Sequence, residues 1–499
     1  MIEDWLAARV RARPHHTALC WQTDDTTHTL NFAQLNTRVT GCCEKLSAEG
    51  IAAGDKVAVL LPNGTGFVTM LFALMRLNAV IVPLNIRLTP DELVYQINLT
   101  DCKFIVHDET TAILAQQIPQ NDILSLYSFS EDSSPDADYT ASQSQFCVGT
   151  YNLEDDFAIV FTSGTSGQPK GAVLTYANIF YSAMASAYRI GTLPDDVWLS
   201  VLPMYHVGGI SILIRAVLYG ITVTLRPKFD VAQFHDDLCK GEGTLVSLVP
   251  TMLHRLIQYR LQDGRAWSEQ LRLILLGGAA ASPELMQQCH DLHIPVATTY
   301  GLSEAASQVA TTLAGDAIQK PGSVGKPLLF SSVQILDDDD RNLPPGDYGE
   351  IVVRGKTILR EYYKNPEATA KTLRDGALYT GDIGYLDDEG DLWLVQRRSD
   401  LIISGGENIY PAEIEAILRQ HPAIDSVAVV GIPDTEWGQR VAATIVLNTE
   451  TTEDVIIAFC RDHLAGYKQP RRIKFVEALP MTASGKIQRP AVQALFDDK

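Results

Sequence analysis

The stretch Thr162-SGTSGQPK-Gly171 decides the fold class and gives the first indication of the chemistry. It follows an apolar run, Phe157–Phe161, that predicts a buried strand. Residues with little bulk after a strand let backbone N–H groups approach a ligand closely, and glycine there permits positive φ. The contributing residues are Thr162, Ser163, Gly164, Thr165, Ser166, Gly167 and Lys170. Together they predict a concave site for an anion such as a phosphate.

This loop differs from the Walker type, which needs Gly-Lys followed by Ser or Thr. Here Pro169 precedes Lys170 and Gly171 follows it. The alternative interpretation is a flexible surface turn. A ligand loop is favoured because the ends of strands in α/β sheets are where ligands bind.

Short apolar runs alternate with helical patterns along most of the chain, which predicts α/β layers with largely parallel sheets. The predicted strands are 56–62, 103–107, 158–162, 222–226, 245–250 and 271–277, and the predicted helices include 91–98, 177–190 and 283–292. After about residue 345 the runs at 349–355 and 390–395 are typical of antiparallel strands. The last hundred residues indicate a small α+β unit, and residues 130–144 a loop or linker. We place the domain boundary where charge gives way to glycine, giving domains 1–399 and 400–499.

Charge, cysteine spacing and hydropathy disfavour a nucleic-acid-binding, disulfide-bonded or membrane-spanning protein. The 499 residues carry a net charge of −20, which disfavours non-specific binding to nucleic acid or anionic membranes. The eight cysteines form no C-x-x-C pair and no zinc spacing, so we expect reduced thiols in a cytoplasmic protein. We expect no secretory signal, because Met1-IED-Trp5 has no basic region followed by an apolar run. The apolar run at 67–84 is interrupted by polar residues, so it favours a core helix and strand over a membrane span.

Four further segments carry candidate chemistry, although each has a plain structural alternative. Tyr300-GLS-Glu304 predicts a glycine turn whose carboxylate could hold Mg²⁺, or else a helix start capped by Ser303. Tyr379-TG-Asp382 predicts an acid in a tight turn, able to bind ribose hydroxyls, or else a plain turn aspartate. Leu275-LGGA-Ala280 predicts an open strand end with room for a flat base. Met481-TASG-Lys486 predicts a small-residue loop whose lysine belongs to a site or is simply solvated.

The combination of these segments, with Arg398–Asn408, resembles the adenylate-forming superfamily of acyl-CoA synthetases, adenylation domains and luciferases over almost the whole chain. Leu202-PMYHVGGISILIRAVLY-Gly220 and Tyr300-GLSEAAS-Gln308 are most similar to the o-succinylbenzoate–CoA ligases of menaquinone and phylloquinone synthesis. Two positions depart from the pattern: Ser303 stands where threonine is usual, and Gly208 where serine is frequent.

The resemblance implies a fold and a set of roles. A large N-terminal domain of layered α/β subdomains with a small β-barrel-like part would precede a small, mobile α+β domain that turns about Asp400. The implied catalytic residues are Lys486, His206 and Glu304, with Glu304 and Thr165 at the metal. Nucleotide and CoA would be bound by the phosphate loop and by Gly278, Ala279, Tyr300, Gly301, Ser303, Asp382, Arg398, Gly405 and Gly406. Substrate would meet His206, Arg215, Gly278 and Ser303.

Two of these assignments have open alternatives. His206 could equally be a satisfied core histidine. Arg215 lies in an apolar segment and needs an anionic partner, which could be a dianionic substrate or an internal acid. Likewise, Lys468, Arg471 and Arg472 could meet CoA phosphates or form a solvated face.

The implied reaction is activation of a carboxylic acid by ATP and Mg²⁺, followed by transfer to CoA. The preferred acid is o-succinylbenzoate, and the alternatives are another aryl or fatty acid, loading of a separate carrier protein, or a nucleotide-binding regulator without catalysis. The expected partners are these small molecules, with no nucleic acid and no integral membrane segment. The oligomeric state is left open, a homo-oligomer being one option.

Overall fold

The computed structural model describes residues 1–23, 26–119, 125–128, 149–162, 169–396, 401–481 and 487–497. The chain divides into two units. The large unit consists of Met1–Ile86, Ile97–Val160 and Gly171–Val395, and the small unit of Arg87–Gln96, Phe161–Lys170 and Gln396–Lys499. The domain boundary predicted between 399 and 400 falls outside the described residues and stays a prediction.

The strands, in chain order, are β1 (Ile2–Glu3), β2 (Thr17–Thr23), β3 (Thr26–Asn31), β4 (Lys56–Leu60), β5 (Val80–Pro83), β6 (Phe104–His107), β7 (Ser125–Ser128), β8 (Thr150–Tyr151), β9 (Asp156–Thr162), β10 (Lys170–Thr175), β11 (Val197–Ser200), β12 (Thr222–Leu225), β13 (Leu245–Leu248), β14 (Leu273–Leu276), β15 (Val296–Leu302), β16 (Ser307–Thr311), β17 (Lys326–Pro327), β18 (Ser331–Leu336), β19 (Gly349–Gly355), β20 (Glu361–Tyr362), β21 (Leu373–Arg374), β22 (Ala377–Leu386), β23 (Leu392–Gln396), β24 (Ile402–Ser404), β25 (Glu407–Ile409), β26 (Ile424–Asp434), β27 (Gly438–Leu447) and β28 (Arg472–Phe475).

The helices are α1 (Trp5–Ala12), α2 (Phe32–Ala48), α3 (Thr65–Arg76), α4 (Pro90–Leu99), α5 (Ala112–Gln116), α6 (Tyr176–Ile190), α7 (Val207–Tyr219), α8 (Val231–Lys240), α9 (Pro250–Asp263), α10 (Pro283–Asp291), α11 (Asp316–Gln319), α12 (Pro366–Thr372), α13 (Pro411–Leu418), α14 (Glu453–His463) and α15 (Arg489–Ala494). A single 3₁₀ turn at Ser303–Ala305 is described between β15 and β16. Every strand and helix predicted above from the alternation of patterns is confirmed.

Two large sheets contain most of the strands before residue 330. One has the order β20-β10-β9-β5-β4-β6-β7, and the other the order β17-β16-β15-β14-β13-β11-β12-β2-β3. Their centres are parallel, as in β4 against β5 and β6, or β13 against β14. These central strands are continuous apolar runs such as Leu273–Leu276, as expected for parallel strands that are buried on both faces.

An antiparallel sheet follows in the large unit, with the order β18-β19-β22-β21 and with β23 paired to β22. The small unit has its own sheet, ordered β25-β24-β27-β26, with β28 pairing β27 in parallel. Its core is formed by apolar residues such as Ile414, Val429 and Ile456, all fully buried. This is the small α+β arrangement that the sequence predicts for the last hundred residues.

The apolar run at 67–84 forms helix α3 and strand β5, as predicted, and both are buried in the core of the large unit. None of the described helices is both long and apolar enough to cross a membrane. The seven described cysteines are all free thiols, again as predicted. Burial raises the pKa of the Cys42, Cys102 and Cys289 thiols to about 12, so these groups are held in the neutral form.

Candidate active site

The end of β15 and the turn that follows it are tightly constrained. Tyr300 and Gly301 belong to β15, so the predicted glycine turn at this place is wrong. The chain reverses instead at the 3₁₀ turn and returns as β16. A Cβ at Gly301 would lie 1.7 Å from the Ser307 carbonyl oxygen, which only glycine avoids. Ala306 and Ser307 both have positive φ, +50° and +102°, a strain that clusters at functional sites.

This reversal places Glu304 in a buried position, 8% exposed. Its Oε1 accepts a hydrogen bond from the Tyr362 hydroxyl at 2.7 Å, and its backbone carbonyl accepts from Leu359 N at 2.8 Å. Ser303 is half-buried as the first residue of the turn, but the capping position belongs to Leu302, which makes no side-chain cap. The alternative interpretation, with Ser303 as a helix cap, is therefore wrong.

The environment of Glu304 suits a magnesium ion that is shared with substrate phosphates. Mg²⁺ is usually held by one or two carboxylates together with phosphates and water, rather than by a cage of protein ligands. In the described parts of the chain, no group of three or more His, Cys, Asp or Glu side chains could hold a metal by itself. A single carboxylate oriented by a tyrosine hydroxyl, as Glu304 is by Tyr362, fits a magnesium ion held together with phosphates and water.

Tyr362→Phe should raise the Mg²⁺ concentration needed for half-maximal activity by about tenfold, because partners that orient a metal-binding carboxylate typically contribute 10- to 100-fold in metal affinity. Titrating activity with Mg²⁺ at saturating ATP measures this. Tyr363→Phe is the matched control, since the Tyr363 hydroxyl donates to Asp101 instead. Equal Mg²⁺ curves for the two variants would contradict a role for Tyr362 in holding Glu304.

Tyr300 and Asp382 are brought together by the fold. The Tyr300 hydroxyl donates to Asp382 Oδ2 at 2.7 Å. Tyr300 is buried, with 1% of its surface exposed. The structure shows the contact of its hydroxyl with Asp382, and stacking of its ring on an adenine stays a prediction. Asp382 lies within the ten-residue strand β22, beside an irregularity in its pairing with β19, so the predicted tight turn is wrong. A strand bulge also re-aims a side chain.

Gly278 and Ala279 lie just past the carboxyl end of β14, which is where ligands bind in open α/β sheets. Gly278 is exposed and Ala279 is half-buried. Strand β15 is the parallel neighbour of β14, with Leu276 opposite Thr298. The predicted base site and Tyr300 are thus carried by adjacent strands of one sheet.

His206 stands immediately before α7, as its half-buried N-cap residue. The loop leading to it is fixed by Asn63, whose Oδ1 accepts from Met204 N at 2.8 Å and whose Nδ2 donates to the Leu202 carbonyl at 3.0 Å. The ring of His206 meets the edge of the Tyr205 ring at 4.6 Å between centroids. His206 is therefore held in place at one end of α7.

Arg215 lies near the other end of the same helix. At a rise of about 1.5 Å per residue, the backbones of His206 and Arg215 are separated by about 13 Å along the helix. Arg215 is 2% exposed, and its Nε and Nη2 have no hydrogen-bond partner. Its guanidinium lies 5.9 Å from the centre of the Trp198 ring. Burial lowers the pKa of Arg215.

The surroundings of Arg215 are polar as well as buried. Ser211 is on the same face of α7, four residues earlier, and Ser200 shares a face of β11 with Trp198. The hydroxyls of both serines are buried and lack a hydrogen-bond partner. No ion pair of Arg215 with a carboxylate is found among the described residues, so the internal acid considered from the sequence is not among them.

The remaining predicted residues belong to the small unit. Thr162 ends β9 and Lys170 begins β10, and both are half-buried. The predicted phosphate loop lies in the sequence between the ends of these two strands. Gly405 and Gly406 have φ of +59° and +87° and form the two-residue turn of the β24–β25 hairpin. Both positive φ values match the type of turn that tight hairpins prefer.

Lys468 contradicts its predicted place in a basic cluster on CoA phosphates or a solvated face. It is 4% exposed, and its Nζ donates to Glu92 Oε1 and to Glu413 Oε1, each at 2.7 Å. A lysine buried against two carboxylates is not available to an external phosphate. The residues next to Lys468 in the sequence did not indicate this ion pair, because Glu92 is 376 positions away.

Several predicted site residues lie outside the described parts of the chain, and their assignments stay predictions. They are Ser163, Gly164, Thr165, Ser166, Gly167, Arg398, Asp400 and Lys486. Two residues that hold site residues in place, Asn63 and Tyr362, were not predicted from the sequence. Asn63 could have been found, because it is a polar residue just beyond the buried strand β4. Tyr362 gave no signal in the sequence.

Comparison with known proteins identifies the family of this chain. The model of the AMP-binding enzyme family matches residues 6–363, and that of the AMP-binding enzyme C-terminal domain matches residues 413–486. The 2-succinylbenzoate–CoA ligases of Bacillus thuringiensis subsp. konkukian and Bacillus anthracis are each 40% identical over 495 residues, covering 99% of this chain and 98% of theirs.

Solved structures give the same result. A double mutant of o-succinylbenzoate CoA synthetase from Bacillus subtilis, bound with its product analogue OSB-NCoA, has a TM-score of 0.90 at 33% identity, with 100% of this chain and 98% of that chain covered. The same enzyme in complex with the acyl-adenylate intermediate OSB-AMP has a TM-score of 0.72 at 32% identity, over 100% and 98% of the two chains. A Mycobacterium tuberculosis fatty acyl CoA synthetase has a TM-score of 0.73 at 30% identity, over 99% and 97%. This chain therefore belongs to the AMP-binding enzyme family.

Proposed function

We propose that this protein is an AMP-forming 2-succinylbenzoate–CoA ligase, which consumes ATP, the acid and CoA and yields the acyl-CoA, AMP and pyrophosphate. The names of its relatives support the activity, and the buried guanidinium of Arg215 is the observation that carries the choice of acid. 2-Succinylbenzoate has two carboxylates. One is activated, and the other must be held.

A buried, unpaired guanidinium is costly unless an anion meets it. The free Nε and Nη2 of Arg215 are the two donors that a carboxylate takes up in a bidentate pair. Bound substrate would supply that anion. An acid with a single carboxylate, such as the fatty acids implied by the Mycobacterium tuberculosis relative, would leave Arg215 unpaired while its carboxylate reacted.

In the first half-reaction the acid's carboxylate oxygen attacks the α-phosphorus of ATP and pyrophosphate leaves. Positioning and electrostatic stabilisation dominate such phosphoryl chemistry. Thr162 and Lys170, with the loop between them, would bind the β- and γ-phosphates, and Asp382 and Arg398 the ribose, while Gly278, Ala279 and Tyr300 would form the base site. Mg²⁺, held by Glu304, would neutralise phosphate charge. Lys486 would stabilise the charge that develops at the α-phosphate.

In the second half-reaction the CoA thiolate attacks the acyl carbon, the bond to AMP breaks, and AMP leaves. The two positive-φ glycines of the β24–β25 turn have no side chains to obstruct the pantetheine arm. His206 would lie at the acyl site, at the opposite end of α7 from Arg215. We place the reaction in the cytoplasm, which the free thiols of the described cysteines support.

Separate assays of the two half-reactions test this function. Wild-type protein is supplied with 2-succinylbenzoate, benzoate or a medium-chain acid, and both pyrophosphate release and CoA thioester are measured. We expect both products to be formed fastest from 2-succinylbenzoate. Pyrophosphate release without any CoA thioester would instead indicate a carrier protein as the acceptor, and a preference for the medium-chain acid would identify a fatty-acid ligase.

A further inference from the structure

We propose that Arg9 and Arg13 are positioning residues for the acid substrate, acting from the N-terminal helix α1 through the end of α7. They hold the C-terminal end of α7 and so fix the location of Arg215. This inference rests on the proposed function, in which Arg215 binds the second carboxylate.

The C-terminal end of a helix leaves carbonyl groups that the helix itself does not satisfy. The last turn of α7 contains no basic residue of its own. Arg9 supplies donors from α1: its Nε donates to the Val217 carbonyl at 2.8 Å, and its Nη2 donates to the Leu218 carbonyl. A cation is also favoured at this end by the helix dipole. Both bonds lie within three residues of Arg215.

Arg13 bonds both to the end of α7 and to the segment that precedes β11. Its Nη1 donates to the Gly220 carbonyl at 3.0 Å and to the Pro194 carbonyl at 2.9 Å. Pro194 lies in the segment that leads into β11, and β11 carries Trp198, the ring packed against the guanidinium of Arg215. Arg13 therefore ties the end of α7 to the start of β11.

Gly220 shows how closely Arg9 is fitted to this helix end. It is the left-handed C-cap of α7, with φ +75°, and its N–H bonds to the Ala216 carbonyl. A Cβ at this position would lie 2.5 Å from Arg9 Nη1, so a larger residue would displace the guanidinium. Arg9, Arg13 and Gly220 thus form one set of contacts at the end of α7, which we call the clamp.

Arg9→Ala should raise KM for 2-succinylbenzoate by between about twofold and 30-fold, which is the range expected for residues that act on a site through their neighbours. KM for ATP should be unchanged. The acid 3-benzoylpropionate, which lacks the ring carboxylate, and 2-acetylbenzoate, which lacks the aliphatic one, should react as they do with wild type. Arg9→Lys keeps the cation and should recover most of the loss. Arg11→Ala is the matched control, because Arg11 is on the same helix and pairs with Glu3. An equal loss for all acids would overturn the proposal.

Hydrogen exchange provides a readout that does not depend on activity. The amides of Gly220 and Ile221 both donate to the Ala216 carbonyl. Their exchange should be faster in Arg9→Ala than in wild type, and unchanged in Arg11→Ala. Unaltered exchange in Arg9→Ala would overturn the clamp, whatever the substrate. A wild-type protein that does not prefer the dicarboxylate would overturn the proposed function itself, and with it the substrate role of the clamp.

Discussion

Replacing Lys486 by alanine should slow acyl-adenylate formation by roughly 10²–10³-fold, because loss of one group that stabilises developing charge typically costs that much. The variant lacks the cation expected beside the α-phosphate as negative charge builds there. The role follows from the family resemblance of residues 481–486. Rapid-quench measurement of pyrophosphate release gives the rate directly.

The same variant should form thioester from a pre-made acyl-adenylate and CoA at nearly the wild-type rate, because Lys486 is assigned to the first half-reaction alone. Asp400→Pro should give the reverse pattern, since proline fixes φ and removes an N–H at the predicted hinge. Lys474→Ala is a control on the small unit, where Lys474 donates to the Leu495 carbonyl at the surface. Equal slowing of both half-reactions by Lys486→Ala, with unchanged stability, would contradict two separate working states.

Replacing Arg215 by methionine should lower kcat/KM for 2-succinylbenzoate by roughly 10²–10³-fold, since breaking a buried charge pair costs about 3–5 kcal/mol. KM for ATP should be unchanged. The melting temperature of the free protein should stay the same or rise, because the variant removes a buried charge whose Nε and Nη2 are unpaired before substrate binds. Steady-state kinetics and thermal melts, run side by side, measure both effects.

Arg189→Met is the matched control for this substitution. Arg189 is a half-buried helical arginine that donates to the Pro327 carbonyl, and its loss should leave the preference among acids unaltered. If Arg215→Met instead lowers the melting temperature and slows every acid to the same extent, Arg215 is a structural residue and not the ligand of the second carboxylate.

Much of the fold could be predicted from the sequence because its signals are local. Buried parallel strands are continuous apolar runs, as in Leu273–Leu276, and can be recognised without knowledge of their partners. The phosphate loop was predicted in the same way, from small residues directly after the apolar strand β9. At Tyr300–Glu304 the sequence predicted a turn directly after the strand, whereas the strand continues to Leu302. The reversal depends on the close approach of Gly301 to Ser307, which the sequence does not reveal.

The contacts that complete the site were not predictable because they join residues distant in the sequence. Tyr362 reaches Glu304 across 58 positions, and Asn63 reaches Met204 across 141. Lys468 shows the opposite error: its basic neighbours suggested exposure, whereas Glu92 and Glu413 bury it in an ion-pair network. Arg215 was recognised as unusual from its apolar neighbours, but its unpaired Nε and Nη2 needed the structure.

A competition assay tests most directly the claim that this protein selects an acid with two carboxylates. Equimolar 2-succinylbenzoate, 3-benzoylpropionate, 2-acetylbenzoate and octanoate are offered to the wild-type protein with ATP, Mg²⁺ and limiting CoA, and the thioesters are quantified by mass spectrometry. The ratios of products report the ratios of kcat/KM. We predict that 2-succinylbenzoyl-CoA exceeds every other thioester by about 100-fold, as expected when one acid alone satisfies a buried charge. The amount of AMP formed should equal the total amount of thioester. Comparable yields from the acids with a single carboxylate would contradict the account.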